Sequence, residues 1–107
     1  MRELGRVIKE IDGVKIPMLA VVTLPKSLIS MGKEYRGRYK ELYEKFKNKL
    51  DFDLFLEASA ILKEDFTGMY IKDENEYVFL FKKSKELRIS IRKFVTMLLI
   101  LQQKEKQ

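Results

Sequence analysis

The stretch "FVTMLLIL", residues 94–101, constrains the fold more than any other part of this 107-residue chain. Phe94, Val95, Met97, Leu98, Leu99, Ile100 and Leu101 leave a helix through it without a polar face. A helix apolar nearly all round must be covered on more than one side. The run is far shorter than the roughly 20 residues needed to span a bilayer, so the cover must be protein. In a chain of this size a second subunit is the expected cover. The sequence therefore predicts a C-terminal helix over about 93–105 and a homodimer joined through Phe94, Leu98 and Leu101.

Length indicates one domain over residues 1–107. Hydrophobic residues at 46% and charged residues at 36% fit a globular protein with one core. The chain has no cysteine and no histidine, which excludes disulfides, thiolate catalysis and the commonest general base and zinc ligand. Residues 1–6 are charged and no apolar segment of a secretory leader follows, so a cytoplasmic protein is expected. Abundant Lys, Glu and Ile with few Asn and Gln fit a thermophilic source.

Charge is segregated. The net is +2 over residues 1–32, +4 over 33–50, −6 over 51–77 and +6 over 78–107. Two basic segments around an acidic one predict a basic side to the fold, unless the segments neutralise one another as surface ion pairs.

The early chain reads as a hairpin. Val7, Ile8 and Ile11 precede the turn pair Asp12-Gly13, and Val14, Ile16, Met18, Ala20 and Val22 alternate after it. Pro17 lacks an amide proton and belongs at an edge or a bulge. Pro25 suits a helix start. Leu28, Met31, Tyr35, Tyr39, Leu42, Phe46 and Leu50 then give one apolar face of a long helix over about 25–48, with Gly32 marking a break. Residues 51–63 fit two periods. Phe52, Leu54, Leu56, Ala58, Ala60 and Leu62 alternate as in a strand, whereas Asp53 could cap a helix. The strand is the preferred reading. Further strands are expected at 69–72, 76–83 and 87–92. The fold class is thus α+β, an antiparallel sheet packed against the long helix, with the C-terminal apolar helix.

The expected hairpin of 76–83 with 87–92 carries the functional argument. Directly opposed residues share a face, so loop length decides which residues meet. A four-residue loop at 83–86 sets Phe81 opposite Arg88, Phe79 opposite Ser90 and Tyr77 opposite Arg92. Three aromatics and two arginines would then line one face. A three-residue loop would instead send Phe79 and Phe81 into the core. An aromatic and arginine face suits single-stranded nucleic acid, whose bases stack on rings while the backbone follows positive charge. Lys83 and Lys93 extend that face. "YRGRYK" at 35–40 offers Arg36 and Arg38 to phosphate, its tyrosines being explained by helix packing. The candidate nucleic-acid-binding residues are Tyr77, Phe79, Phe81, Lys83, Arg88, Arg92, Lys93, Arg36 and Arg38.

The layout, with "MLAVVTLPKSLI" and "YVFLFKKSKELRISIRKFV", resembles the archaeal ThermoDBP-related proteins. The resemblance implies a small single-stranded DNA- or RNA-binding protein with a sheet backed by helices and a tendency to self-associate. It carries over no site residue. The alternative function is an interaction or regulatory module whose basic face meets an acidic protein. A third is a metal-dependent nuclease using Asp51 and Asp53 with Glu57, Glu64 or Asp65.

No cofactor is expected, and the carboxylate set is too weak a pattern to favour catalysis. Magnesium or manganese should leave labelled DNA and RNA strands uncut in a gel assay. Cleavage that disappears in Asp53→Asn would establish the nuclease instead.

Overall fold

Helix α5, Ile91–Lys106, is the hub of the computed structural model, which describes residues 8–18, 21–71 and 73–106. All nine positions from Phe94 to Gln102 are buried. The other helices and a strand surround it: α1 (Ile29–Glu34), α2 (Tyr39–Phe46), α3 (Phe52–Ile61), α4 (Glu74–Glu86) and β3 (Val21–Pro25). The expected C-terminal helix is therefore present, but its cover comes from the chain itself. Phe94 and Leu98 are fully buried and Leu101 is 9% exposed, so the dimer seam assigned to them lies inside the protomer.

The architecture is α+β, with two small antiparallel sheets. Strands β1 (Ile8–Ile11) and β2 (Val14–Pro17) form the expected hairpin. Asp12 and Gly13 both have positive φ, 55° and 79°, which is the backbone of a two-residue primed turn. Pro17 sits at the ribbon's end opposite Ile8. Ion pairs from Lys9 to Glu74 (3.0 Å) and from Lys82 to Asp12 tie the hairpin to α4.

The second sheet pairs β3 with β4 (Phe66–Tyr70) in a register that sets Val21 opposite Tyr70, Thr23 opposite Gly68 and Pro25 opposite Phe66. Val22, Leu24 and Met69 point inward and are buried. Helix α1 lies close on this inner face. A Cβ at Gly32 would come within 2.9 Å of Leu24 Cδ1 and Met69 Sδ. The Tyr39 hydroxyl donates to the Gly32 carbonyl at 2.9 Å and fixes the start of α2 against α1. The long helix of 25–48 is thus a set of helical pieces. Its break falls at the 35–37 turn, where Gly37 has φ +77°, and not at Gly32.

Three strand assignments are corrected. Residues 52–61 are helical because the Asp51 carboxylate accepts from the Leu54 amide at 2.9 Å and caps α3. Leu54 and Ala58, four apart, face inward, while Phe52 and Leu56 stay exposed. Asp51 and Asp53 therefore stand at a helix start and do not share a strand face. Residues 76–83 lie in α4, capped by Asp73, whose carboxylate accepts from Asn75 and Glu76 amides at 2.9 and 3.2 Å. Its buried Tyr77, Leu80 and Ser84 follow helical spacing. Residues 87–92 form no strand. Arg88 closes α4 with φ +60°, while the Ile89 amide donates to the Ser84 carbonyl and the Arg88 amide to that of Lys85. That pattern is a Schellman stop with arginine where glycine is usual. Ser90 then caps α5 by accepting from the Lys93 amide at 3.1 Å.

Helix α2 has no side-chain cap of its own, and Arg38 occupies its N-cap position. Glu76 of α4 supplies one. Its carboxylate, 2% exposed, accepts from the backbone amides of Tyr39 and Lys40. Burial pushes the Glu76 carboxyl above its ordinary range, and the two amides offset only part of that rise. A raised folded-state value means the contribution of Glu76 is complete below the ordinary glutamate value and declines as pH rises through the folded value.

Glu76→Ala should lower stability by about 1–3 kcal/mol, because two helix-start amides lose their acceptor. Glu76→Gln keeps an oxygen and should flatten the fall in stability between acidic and neutral pH. Urea unfolding of the three proteins across that range measures both effects. Identical pH profiles for wild type and Glu76→Gln would remove Glu76 as the cause.

Candidate nucleic-acid interface

The outer face of the β3–β4 sheet is set by the alternation in "FTGMY". Met69 turns inward, so Phe66, Gly68 and Tyr70 turn outward beside Val21 and Thr23. Phe66 is 41% exposed and Tyr70 53%. Four residues of strand place the two rings about 13 Å apart. Gly68 between them leaves the backbone bare.

Arg92 reaches this face from the first turn of α5. Its guanidinium carbon lies 4.9 Å from the Phe66 ring centroid, and its Nη1 donates to Thr23 Oγ1 at 3.4 Å. Lys93, next in the same turn, places its ammonium 3.7 Å from the Phe55 ring centroid and donates to Ser59 Oγ at 2.7 Å. Arg88 stands exposed in the loop just before α5. Among the described residues none of these three has a carboxylate partner. The first turn of α5 contains no acidic residue either, so their charge adds to the positive end of the helix. Arg88 also holds a left-handed backbone that costs a non-glycine residue roughly 1 kcal/mol.

The other candidates are dispersed. Tyr77 is buried, with Phe81 beside it at 6.5 Å between centroids, four residues along α4. Phe79 points to another side of that helix and packs edge-on against Tyr43 at 5.7 Å. Lys83 pairs with Glu86 at 3.2 Å and covers the Tyr43 ring. Arg36 is exposed in the 35–37 turn, and Arg38 pairs with Glu41 at 3.1 Å. The expected ring of aromatics on one strand face is therefore corrected. A helix keeps Tyr77 and Phe81, four apart, on one side and turns Phe79 to another, where a strand would have kept all three together.

Arg88, Arg92 and Lys93 lie in one short segment at the start of α5, with Arg92 against Phe66 and Lys93 against Phe55, aromatics the sequence reading missed. Phe66 lay outside the strand expected at 69–72; the strand instead begins at Phe66 and runs through Gly68, which turns Phe66 and Tyr70 to one side. The ion-pair neutralisation weighed for the charge segregation holds for much of the surface. Lys104 pairs with Glu57, Lys45 with Glu105 and Lys106 with Glu34.

Among the described residues no three acidic side chains converge on a common point. A groove of about 340 Å³ opens between α3 and the 87–90 loop, lined by Leu50, Phe52, Phe55, Leu87, Ile89 and Met97 with Asp51 at one side. Phe52 and Phe55 stack at 6.0 Å along its wall.

Phe79→Ala should now behave as a packing mutation, costing about 1–3 kcal/mol of stability through the lost Tyr43 contact and apolar burial. Chemical denaturation measures that loss, and any oligonucleotide affinity should be retained under native conditions. An affinity loss without a stability loss would return Phe79 to the binding surface. No family model, curated protein or solved structure matches this chain.

Proposed function

We propose that the protein binds single-stranded nucleic acid, DNA or RNA, on the outer face of the β3–β4 sheet, as a non-catalytic cytoplasmic protein. One observation carries this reading: two exposed rings, Phe66 and Tyr70, flank a bare Gly68 on one strand, with the Arg92 guanidinium over the first ring. Every base has a π-face, so such rings accept bases with little sequence preference. Arg92 adds a planar cation that can stack beside a base or pair with a phosphate. Arg88 and Lys93 extend positive charge along the path of the backbone. Helices behind the inner face hold the platform still, so little ordering is required on binding.

A second reading is favoured by the groove along α3. Phe52 on its wall is 69% exposed, a costly arrangement unless something covers it. The Lys93 ammonium at its rim suits an acidic peptide with apolar anchors. The two readings share Lys93 but use different aromatic residues, so mutations of Phe66 and Phe52 separate them.

Labelled poly-T and poly-U strands should bind at low salt by fluorescence anisotropy, with affinity falling at a log–log slope of about −0.7 per phosphate neutralised. Phe66→Ala and Tyr70→Ala should each cost on the order of 1–3 kcal/mol of affinity without lowering the melting temperature. Arg88→Ala should flatten the salt slope, while Phe52→Ala should leave binding unchanged. Absence of binding at low salt, or a preference for duplex, overturns the proposal.

A further inference from the structure

Among the described residues strand β4 is an unprotected edge. Four of its five residues are exposed, and "FTGMY" carries no charge and no proline. Beyond the ladder to β3 and the Lys26–Asp65 bond that extends it, residues 65–70 make no backbone hydrogen bond among the described residues. Sheet edges are normally blunted by lysine, proline, a bulge or a covering element. The other strand of this sheet has such protection, since β3 ends in the buried Pro25 and lies against α5.

We propose that β4 pairs antiparallel with β4 of a second copy across a two-fold axis at Gly68, making one four-stranded sheet. The strand is self-complementary in that register. Phe66 falls opposite Tyr70 of the partner subunit, and Tyr70 opposite the partner's Phe66. Opposed residues share a face, so both aromatic pairs form on the outer side. Gly68 meets its own copy, which leaves the axis free of side chains. The absence of charge on β4 means no like charges meet there. A contact of this kind is isologous and closes at two subunits.

The second copy completes the platform and rests on its reading as a nucleic-acid surface. A two-fold axis normal to the sheet keeps both outer faces on one side. A strand crossing the axis then meets four rings and two Arg92 guanidiniums in one continuous surface. Each protomer alone offers half of that.

The test is run without nucleic acid. Light scattering of the wild type should give twice the monomer mass. Gly68→Lys sets two ammonium groups opposite each other and should give the monomer mass. The new Cβ meets Val21 Cγ1 at 3.2 Å, an exposed side chain that can shift, and Gly68 needs no positive φ. Since the chain has no cysteine, Gly68→Cys gives a single thiol at the axis. It should cross-link to a covalent dimer under mild oxidation, while Thr67→Cys, whose partner across the axis is Met69, should not. A monomeric wild type overturns the proposal, as does a dimer that survives Gly68→Lys and fails to cross-link at Gly68→Cys. A dimer that meets these tests but binds no oligonucleotide retains the pairing and removes the nucleic-acid reading. A monomer that binds oligonucleotide does the reverse.

Discussion

The burial of α5 is the constraint on which the rest of the structure depends. Nine consecutive buried positions cannot be satisfied by one packing partner, because they point in every direction around the helix axis. The chain meets this by wrapping four helices and a strand around one axis. Short elements suit that task, since each covers only a sector of the central helix. The division of residues 26–49 into short pieces follows from the same geometry: one straight helix of that length would cover a single line along α5.

Junctions between these pieces are fixed by polar contacts from neighbouring elements. Glu76 caps α2 from α4, and the Tyr39 hydroxyl holds the Gly32 carbonyl of α1. Tyr39 is wholly buried, and burial raises its phenol far above the ordinary value, so it stays a neutral donor. Both contacts place α1 on the inner face of β3–β4, where Gly32 permits the close approach. One face of that sheet is thereby consumed by the core. Among the described residues its other face has no layer over it, and the two rings there are exposed.

The positive charge of the chain divides in the same way. Lys45, Lys47, Lys82, Lys83, Lys104 and Lys106 pair with carboxylates, where exposed pairs contribute little to stability. Arg92 and Lys93 have no such partners among the described residues and lie against aromatic rings instead. Arg92 on Phe66 and Lys93 on Phe55 are both cation–π arrangements, which leave the charge available to an anion. The proposed chemistry of this surface rests on that difference between neutralised and available charge.

The sequence by itself determined the elements whose local signals agree. Asp12-Gly13 between alternating apolar residues defined the β1–β2 hairpin, because this pair suits the positive φ that a two-residue type I′ turn needs at both positions. The apolar run at 94–101, interrupted only by Thr96, defined a buried helix, and the α+β class followed from these together with the helical spacing of 28–50. Residues 51–63 and 76–83 were different. Their apolar positions satisfy periods of 2 and 3.6 alike over so short a span, and the caps at Asp51 and Asp73 decided for helix. Only the tertiary structure decided what covers α5 and which aromatics reach solvent. Local spacing fixes which residues share a face of an element, whereas the packing of other elements decides whether that face is buried. Phe66 and Tyr70 share a strand face only because β4 runs over 66–70 rather than the expected 69–72, and that this face is the open one follows from α1 occupying the other.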